Sequence, residues 1–95
     1  MNQEKEIERA TKIKARYERR LLRLANVVGI GVGLKEINGV FTDQIAIIAN
    51  VSQKKPLSEL AIRDVVPTEI DGVVTDVQEV GHIKAQSYRK EDNNV

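Results

Sequence analysis

The sequence has no cysteine, three aromatic residues and one histidine. Without cysteine the chain can form neither disulfides nor thiolate metal sites, and no second histidine is available to complete a metal site. The core must therefore be built from Val, Ile, Leu and Ala, which bury less area per residue than aromatic side chains do. A thin aliphatic core in a chain of 95 residues favours self-association as a source of further burial.

Long apolar runs are also missing. No run approaches the roughly 18–20 residues of a membrane-spanning helix. The first residues, Met-Asn-Gln-Glu-Lys-Glu, are charged and lack the apolar region of a secretory signal. We expect a cytoplasmic, soluble protein that makes no membrane contact.

The net charge of +1 hides an asymmetry along the chain. Residues 1–25 carry eight basic and four acidic side chains, whereas residues 26–95 carry seven basic and ten acidic ones. The first segment is therefore net +4 and the remainder is net −3. The two segments therefore have net charges of opposite sign, and the boundary between them falls at a glycine-rich segment.

Residues 3–25 contain no Gly or Pro and are rich in good helix formers. Apolar residues recur at three- and four-residue spacing, which predicts an amphipathic helix. Acidic residues come first and Arg19, Arg20 and Arg23 come last, an order that complements the helix dipole. The apolar stripe could pack on the chain's own sheet or pair with a second copy. Its members are Ile7, Ala10, Tyr17, Leu21 and Leu24.

The glycine-rich segment alternates Gly29, Gly31 and Gly33 with branched aliphatic residues. A period of two predicts a strand, over about residues 27–36. Glycine inside a strand often marks close approach by another part of the chain. We therefore expect the glycines to form a packing or contact face that the N-terminal helix covers. If so, Gly31→Val should be destabilising through overpacking.

The remaining elements follow from turn signals and alternation. Asn38-Gly39 predicts a type I′ hairpin, with a longer loop over residues 37–43 as the alternative, and Asp71-Gly72 predicts a second tight turn. Strands are predicted over about 44–52, a central strand with two apolar faces, and over about 73–80, an edge or half-exposed strand. Ser58 could cap a short helix over about 58–64.

Together these elements predict one α+β domain over residues 1–81. The long N-terminal helix would pack on a small, mainly antiparallel sheet of three to four strands with one short helix. Residues 82–95 are polar and charged, which predicts a flexible tail.

The glycines do not match a nucleotide-binding motif. A dinucleotide fingerprint needs G-x-G-x-x-G between a strand and a helix, whereas here the third glycine comes one residue early. The residues after Gly33 continue the strand into a turn, and no Gly-Lys-Ser/Thr follows. Tight packing is the favoured interpretation, and we expect no cofactor.

Four basic residues of the predicted helix share one face, which could bind nucleic acid or another polyanion. Glu8 and Glu18 are interleaved, and no aromatic residue is placed to stack a base. A solvated helix face is the favoured interpretation, with polyanion binding as the alternative. The four residues are Lys12, Arg16, Arg19 and Arg23.

No catalytic constellation is visible. His82 lies in the predicted tail without a metal-binding or triad partner. The three serines, Ser52, Ser58 and Ser87, lack the context of an activated nucleophile, and the carboxylates Asp71, Asp76 and Glu79 occupy a turn and a predicted edge strand. We expect neither an enzyme nor a metal site.

Residues 26–81 resemble the domain that precedes the protease core in a subset of bacterial trypsin-like serine peptidases. The resemblance rests on these segments: Asn26-Val-Val-Gly-Ile-Gly-Val-Gly33, Thr42, Gln44-Ile-Ala-Ile-Ile-Ala49, Lys54-Lys-Pro-Leu-Ser-Glu-Leu60, Val66-Pro-Thr-Glu-Ile-Asp-Gly72 and Thr75-Asp-Val77. In such proteins the catalytic module follows with its own histidine and Gly-Asp-Ser-Gly motifs, which have no matching positions here. The resemblance implies a non-catalytic accessory domain, a stand-alone relative or a remnant, that acts through protein–protein contact or self-association.

Overall fold

The computed structural model describes residues 3–80, which form one helix and four strands. Helix α1 spans Gln3–Leu22, and the strands are β1 (Val27–Ile37), β2 (Val40–Val51), β3 (Glu69–Ile70) and β4 (Val73–Glu79). The predicted α+β fold, with a long N-terminal helix on a small sheet, is confirmed. The tail predicted over residues 82–95 lies outside the described residues.

The sheet has the strand order β1-β2-β4-β3. β1 and β2 are antiparallel, as are β3 and β4, but β2 and β4 are parallel. The connection over residues 52–72 makes the parallel pair possible, because a parallel crossover needs a dozen residues or more. β2 is central, as predicted, and Ile45–Ala49 are all buried.

The last strand, predicted as an edge or half-exposed strand, is half-exposed, and it lies at an edge only in its second part. β3 covers β4 at Val73 and Val74, so the first part of β4 lies inside the sheet. β3 has only two residues, and beyond Thr75 no described strand pairs with that side of β4.

Both predicted tight turns are present. Asn38 and Gly39 have φ of 51° and 81°, and Asp71 and Gly72 have φ of 48° and 86°. Two successive positive φ values are the type I′ geometry that Asn-Gly and Asp-Gly favour. Ile37 pairs directly with Val40, so the hairpin loop has two residues and the longer alternative does not occur.

The core lies between α1 and one face of the sheet. Tyr17, Leu24, Ile30 and Val32 pack against this core from its margin. The helix therefore contacts the branched face of β1, and the prediction that it covers the glycines is wrong. Large β-branched side chains offer the helix more apolar area than bare backbone does. The buried cluster comprises Ala10, Ile13, Leu21, Ile45, Ile47, Ile70 and Val73.

The predicted short helix over 58–64 is instead two 3₁₀ turns, Leu57–Glu59 and Ile62–Asp64. Leu60 and Ala61 between them are extended, and neither turn has a side-chain cap. Ser58 lies inside the first turn and caps nothing. Six residues without a cap gain too few hydrogen bonds to offset helix nucleation, and Ile62 is 92% exposed, so it adds no packing on the core.

Candidate functional site

β1 is an edge strand. It pairs with β2 on one side, and among residues 3–80 no strand lies along its other side. Side chains of β4 reach β1 only near its C-terminal end, where Gln78 donates to the Leu34 carbonyl and Asp76 accepts from the Glu36 N–H. Among the described residues, the backbone along the outer edge from Val28 to Gly33 is thus unpaired, and the Val28 side chain is 58% exposed.

A groove runs between this edge and the N-terminal half of α1. We call it the edge groove; it is open and has a volume of about 500 Å³. Ile7 and Thr11 of α1 form one wall, and Val32 and Leu34 of β1 form the other. Ile7 and Leu34 are both exposed although they are large and apolar. The groove also touches Gln3, Gly33 and Ile45.

Apolar exposure continues at the β1–β2 hairpin end. Ile37 and Val40 flank the turn and are exposed, and Phe41 is 61% exposed. Phe41 is the only phenylalanine in the sequence. Aromatic side chains bury more area than any others when they find a partner, so an exposed Phe at the hairpin end is an observation that favours a contact surface.

The glycine face is the sheet face opposite α1; its members, placed there by the strand register, are Gly29, Gly31, Gly33, Ala46, Ile48 and Asn50. Among the described residues, a Cβ at Gly31 would meet nothing within 4 Å, and one at Gly33 would lie 3.6 Å from Ile48 Cγ1. A Cβ at Gly29 would lie 3.7 Å from Asn50 Nδ2. The glycine positions therefore have room for a small side chain, although Ala46 and Ile48 on the same face are buried.

Polar side chains of β1 and β4 meet at one end of the glycine face. Lys35 Nζ donates to the Thr75 carbonyl at 2.9 Å and lies 3.8 Å from Asp76 Oδ1. Asp76 Oδ2 accepts from Gln78 Nε2 at 3.0 Å and from the Glu36 N–H at 2.8 Å. This cluster joins two strands that are not neighbours in the sheet, and its polar atoms are engaged with one another.

The four predicted polyanion-binding residues lie on the exposed side of α1 or just after it. Arg16 forms an ion pair with Asp71 at 3.1 Å. Lys12, Arg19 and Arg23 have no salt bridge to any carboxylate among residues 3–80. Three of the four cations are therefore open to solvent and to a partner.

Asp71 ties the β3–β4 turn to α1. Besides the Arg16 pair, its carboxylate accepts from the Tyr17 hydroxyl at 3.2 Å, and its carbonyl accepts from Arg9 Nη2 at 2.8 Å. Asp71 therefore fixes one end of the sheet on the helix. With two side chains on its carboxylate and a third on its carbonyl, Asp71 is a structural anchor.

The other candidate catalytic side chains are also used structurally. Glu79 accepts from the Lys54 N–H, and Ser52 donates to Asn26, whose backbone is left-handed. Ser58 makes no side-chain cap, and His82 and Ser87 lie outside the described residues. In residues 3–80, no three His, Cys, Asp or Glu side chains are grouped as a metal ion would require.

A small pocket of about 200 Å³ lies where the 52–66 segment meets the start of β1. Val27, Val51 and Val77 form its floor, and Lys54 and Lys55 lie at its rim. Sites for drug-sized ligands are typically about 300–1,000 Å³, so this pocket is small for such a ligand.

Comparison with protein-family models finds no match for this chain. Comparison with curated proteins likewise finds none. Within residues 3–80, the one long helix is too polar to cross a bilayer.

The edge position of β1 is the structural feature of this surface that sequence reasoning missed. The signal was present in the length of the 52–72 connection. That length allows a parallel crossover, which inserts β4 beside β2 and leaves the glycine strand with one neighbour.

Proposed function

We propose that this chain is a non-catalytic domain that acts through protein–protein contact, and that two copies associate by pairing their β1 strands. The observation that carries the proposal is the unpaired outer edge of β1. Eleven residues form this strand, about twice the mean strand length. Two such edges could form one continuous sheet across a two-fold axis.

The sequence of β1 does little to prevent such pairing. Edge strands are usually protected by charge, proline, a β-bulge or a covering element. Val27–Leu34 contains neither a charged residue nor a proline, and the irregularities in its register lie at its two ends, between Val27 and Gly29 and after Leu34. Lys35, the only lysine in β1, extends to Thr75 and Asp76 and does not guard the edge. The outer edge therefore has the properties of a strand that receives another strand.

The edge groove could bind side chains of an added strand. An added strand gains affinity from backbone hydrogen bonds and specificity from pockets that hold alternate side chains. Ile7, Val32 and Leu34 line such a groove directly beside the edge. In a symmetric pair, each copy would place an aliphatic β1 side chain against the other copy's groove.

We further propose that the chain is a relative of the bacterial peptidase-leading domains that residues 26–81 resemble, and that it works in the cytoplasm. The order of the glycine strand, the Lys54-Lys55-Pro56 segment and the Asp71-Gly72 turn supports the first part. Sequencing the adjacent open reading frame separates the two forms of this relationship: a protease core directly downstream would support a remnant of a longer peptidase, and its absence beside every copy of the gene would leave only the stand-alone relative.

Sedimentation equilibrium tests the pairing. The wild-type chain should be dimeric at about 100 µM, a concentration that reveals associations of about −5.5 kcal/mol or stronger. Val28→Glu places a charge on the exposed edge and should yield a monomer. Val28→Thr is the matched control, because it keeps a β-branched, uncharged side chain at the same position; it should remain dimeric.

Hydrogen exchange locates the interface. Amides of Val28–Gly33 should exchange more slowly in the wild-type chain than in Val28→Glu, while the β2 amides should be unchanged. Circular dichroism checks that both variants are folded. A wild-type monomer at about 100 µM, or a Val28→Glu dimer as strong as the parent, would overturn the proposal.

A further inference from the structure

A second surface of α1, separate from β1, is strongly basic. At about 100° per residue, two rows of basic side chains run along α1 and onto the turn after it. All are exposed. We call the two rows together the basic stripe: Lys5, Lys12 and Arg19 in one row, and Arg9, Arg16 and Arg23 in the other.

No acidic residue of α1 interrupts the stripe. On a helical projection the six cations lie within an arc of about 80°, and Glu6 and Glu8 fall outside it. The spacing within each row is seven residues, which is about 10.5 Å along the helix, so each row is about 21 Å long. Glu18 lies about 100° from the nearer side of the arc, whereas Glu8 lies about 20° outside it and, three residues from Lys5 and four from Lys12, borders the stripe on one side.

Most of these charges are not neutralised within the described part of the chain. Asp71 pairs with Arg16 through its carboxylate and with Arg9 through its carbonyl. Lys5, Lys12, Arg19 and Arg23 have no salt bridge to any carboxylate in residues 3–80. Four exposed cations held on a rigid element are available to a ligand with regularly spaced negative charge.

We infer that the basic stripe binds the phosphate backbone of double-stranded nucleic acid without reading the bases. A duplex carries one negative charge per about 1.7 Å of axis, so a row of about 21 Å faces several phosphates at once. Lysine and arginine side chains on one helix face are the usual electrostatic footprint of such binding.

The surface fits a duplex better than a single strand. Single-strand binding depends on aromatic side chains that stack on bases. Tyr17 is the only aromatic residue of α1, its hydroxyl donates to Asp71, and Arg20 covers its ring at 5.4 Å from the centroid. Among the described residues, no ring on this surface is free to stack.

An anionic membrane is a poorer partner. Membrane-surface helices insert an apolar face beside their cations, but the apolar face of α1 is buried against the sheet through Ala10, Ile13 and Leu21. The inference is also independent of the proposed β1 pairing, because the edge groove lies on the other side of α1, at Ile7 and Thr11.

Fluorescence anisotropy with a labelled duplex of mixed sequence tests the inference. A duplex of about 20 base pairs is roughly 68 Å long, which exceeds the length of the stripe. With four phosphate contacts, the slope of log K against log salt should be about −3.6, so affinity should fall on the order of 100-fold between about 50 and 200 mM salt.

Two double variants with the same change in net charge separate the stripe from general electrostatics. Lys12→Glu with Arg19→Glu should weaken duplex binding by at least about tenfold. The slope of log K against log salt should become less negative by about 1.8, which corresponds to the loss of about two phosphate contacts. Lys54→Glu with Lys55→Glu alters cations far from α1 in the sequence and should bind within about threefold of the parent. Circular dichroism confirms that both variants are folded.

Three results would overturn the inference. The first is no duplex binding at about 50 mM salt. The second is an equal loss in both double variants, which would mean that net charge alone matters. The third is binding to vesicles rich in phosphatidylserine that exceeds duplex binding. Each measurement can be made on the Val28→Glu chain, in which β1 pairing is not expected. The test of duplex binding therefore does not depend on whether the wild-type chain forms the proposed dimer.

Discussion

Gly31 lies at the centre of the glycine face. Its backbone is ordinary extended strand, and among the described residues a Cβ there would meet nothing within 4 Å. Gly72 is different, because its φ is +86° and a Cβ would lie 2.6 Å from Arg9 Nη2. Neither space nor backbone conformation therefore requires glycine at position 31, whereas both favour glycine at position 72.

This contrast reverses the expectation drawn from the sequence for Gly31. Gly31→Val should leave the free energy of unfolding unchanged or raise it by up to about 1 kcal/mol, because a β-branched residue favours a strand and restricts the unfolded chain. Gly72→Val, the control, should lower it by about 1–2 kcal/mol or more through the left-handed backbone. Urea unfolding measures both, and a clear loss for Gly31→Val would show that this face is covered.

The contacts of Asp71 with α1 could not be predicted from the residues near it in the sequence. The sequence places it correctly in a tight turn, but its partners Arg9, Arg16 and Tyr17 precede it by more than fifty positions. Spacing rules describe neighbours within one element. A contact between the first helix and the last turn depends on the tertiary arrangement, which local pattern does not contain.

At the scale of elements, the Lys35–Asp76–Gln78 cluster holds β1 against β4 across the sheet. The Asp76 side chain is 12% exposed and accepts hydrogen bonds from one backbone and one side-chain donor. Removing the carboxylate would leave the Glu36 N–H without its acceptor and Lys35 without its nearby counter-charge, although Lys35 keeps its bond to the Thr75 carbonyl. A partly buried donor that loses its acceptor costs more than an exposed one, because water does not fully replace the lost bond.

We therefore expect Asp76→Ala to lower the free energy of unfolding by about 1–3 kcal/mol. Asp43→Ala is the matched control, because Asp43 is exposed and on β2; it should change stability by less than about 0.5 kcal/mol. Chemical denaturation measures the difference. Equal stabilities for the two variants would mean that the cluster does not hold the strands together.

Local pattern predicted most elements correctly. Alternation predicted β1 and the two-faced β2, and helix-forming composition predicted α1, although the helix ends at Leu22 and not at residue 25. It did not predict that residues 57–64 form two 3₁₀ turns, nor that α1 packs on the branched face of β1 and not on the glycines. Periodicity shows which residues share a face, but it does not say which face a helix will cover.

At the scale of the whole molecule, self-association would couple stability to concentration. A partner that binds only the folded chain raises the midpoint of thermal unfolding by mass action. The wild-type Tm should therefore rise as protein concentration increases from about tenfold below to tenfold above the dissociation constant, an effect of about 1–2 kcal/mol.

Val28→Glu serves as the control for this measurement, because the proposed pairing is absent in it. Its Tm should be independent of concentration. Differential scanning calorimetry at several concentrations gives both values. A wild-type Tm that does not change with protein concentration would contradict the proposed pairing, even if the wild-type chain and Val28→Glu differ in their free energy of unfolding.

The candidate surfaces differ in how far they could be predicted. The shared helix face of the basic stripe could be predicted from the sequence, because helical spacing alone places four of its cations together. These four are Lys12, Arg16, Arg19 and Arg23. Which of them remain unpaired depends on where Asp71 folds. The unpaired edge of β1 depends on the order of strands, a property of the whole sheet.

The parallel pairing of β2 with β4 also bears on how the molecule folds. β1 and β2 are joined by two residues, so their hairpin closes locally, whereas β4 must come back across residues 52–72. Loop-closure entropy is larger for the longer connection, and non-local pairing slows folding. We expect the helix and first hairpin to organise before β4 docks. In that interval β2 has a free edge of its own, and the order of assembly decides whether it receives its own β4 or a strand from another molecule.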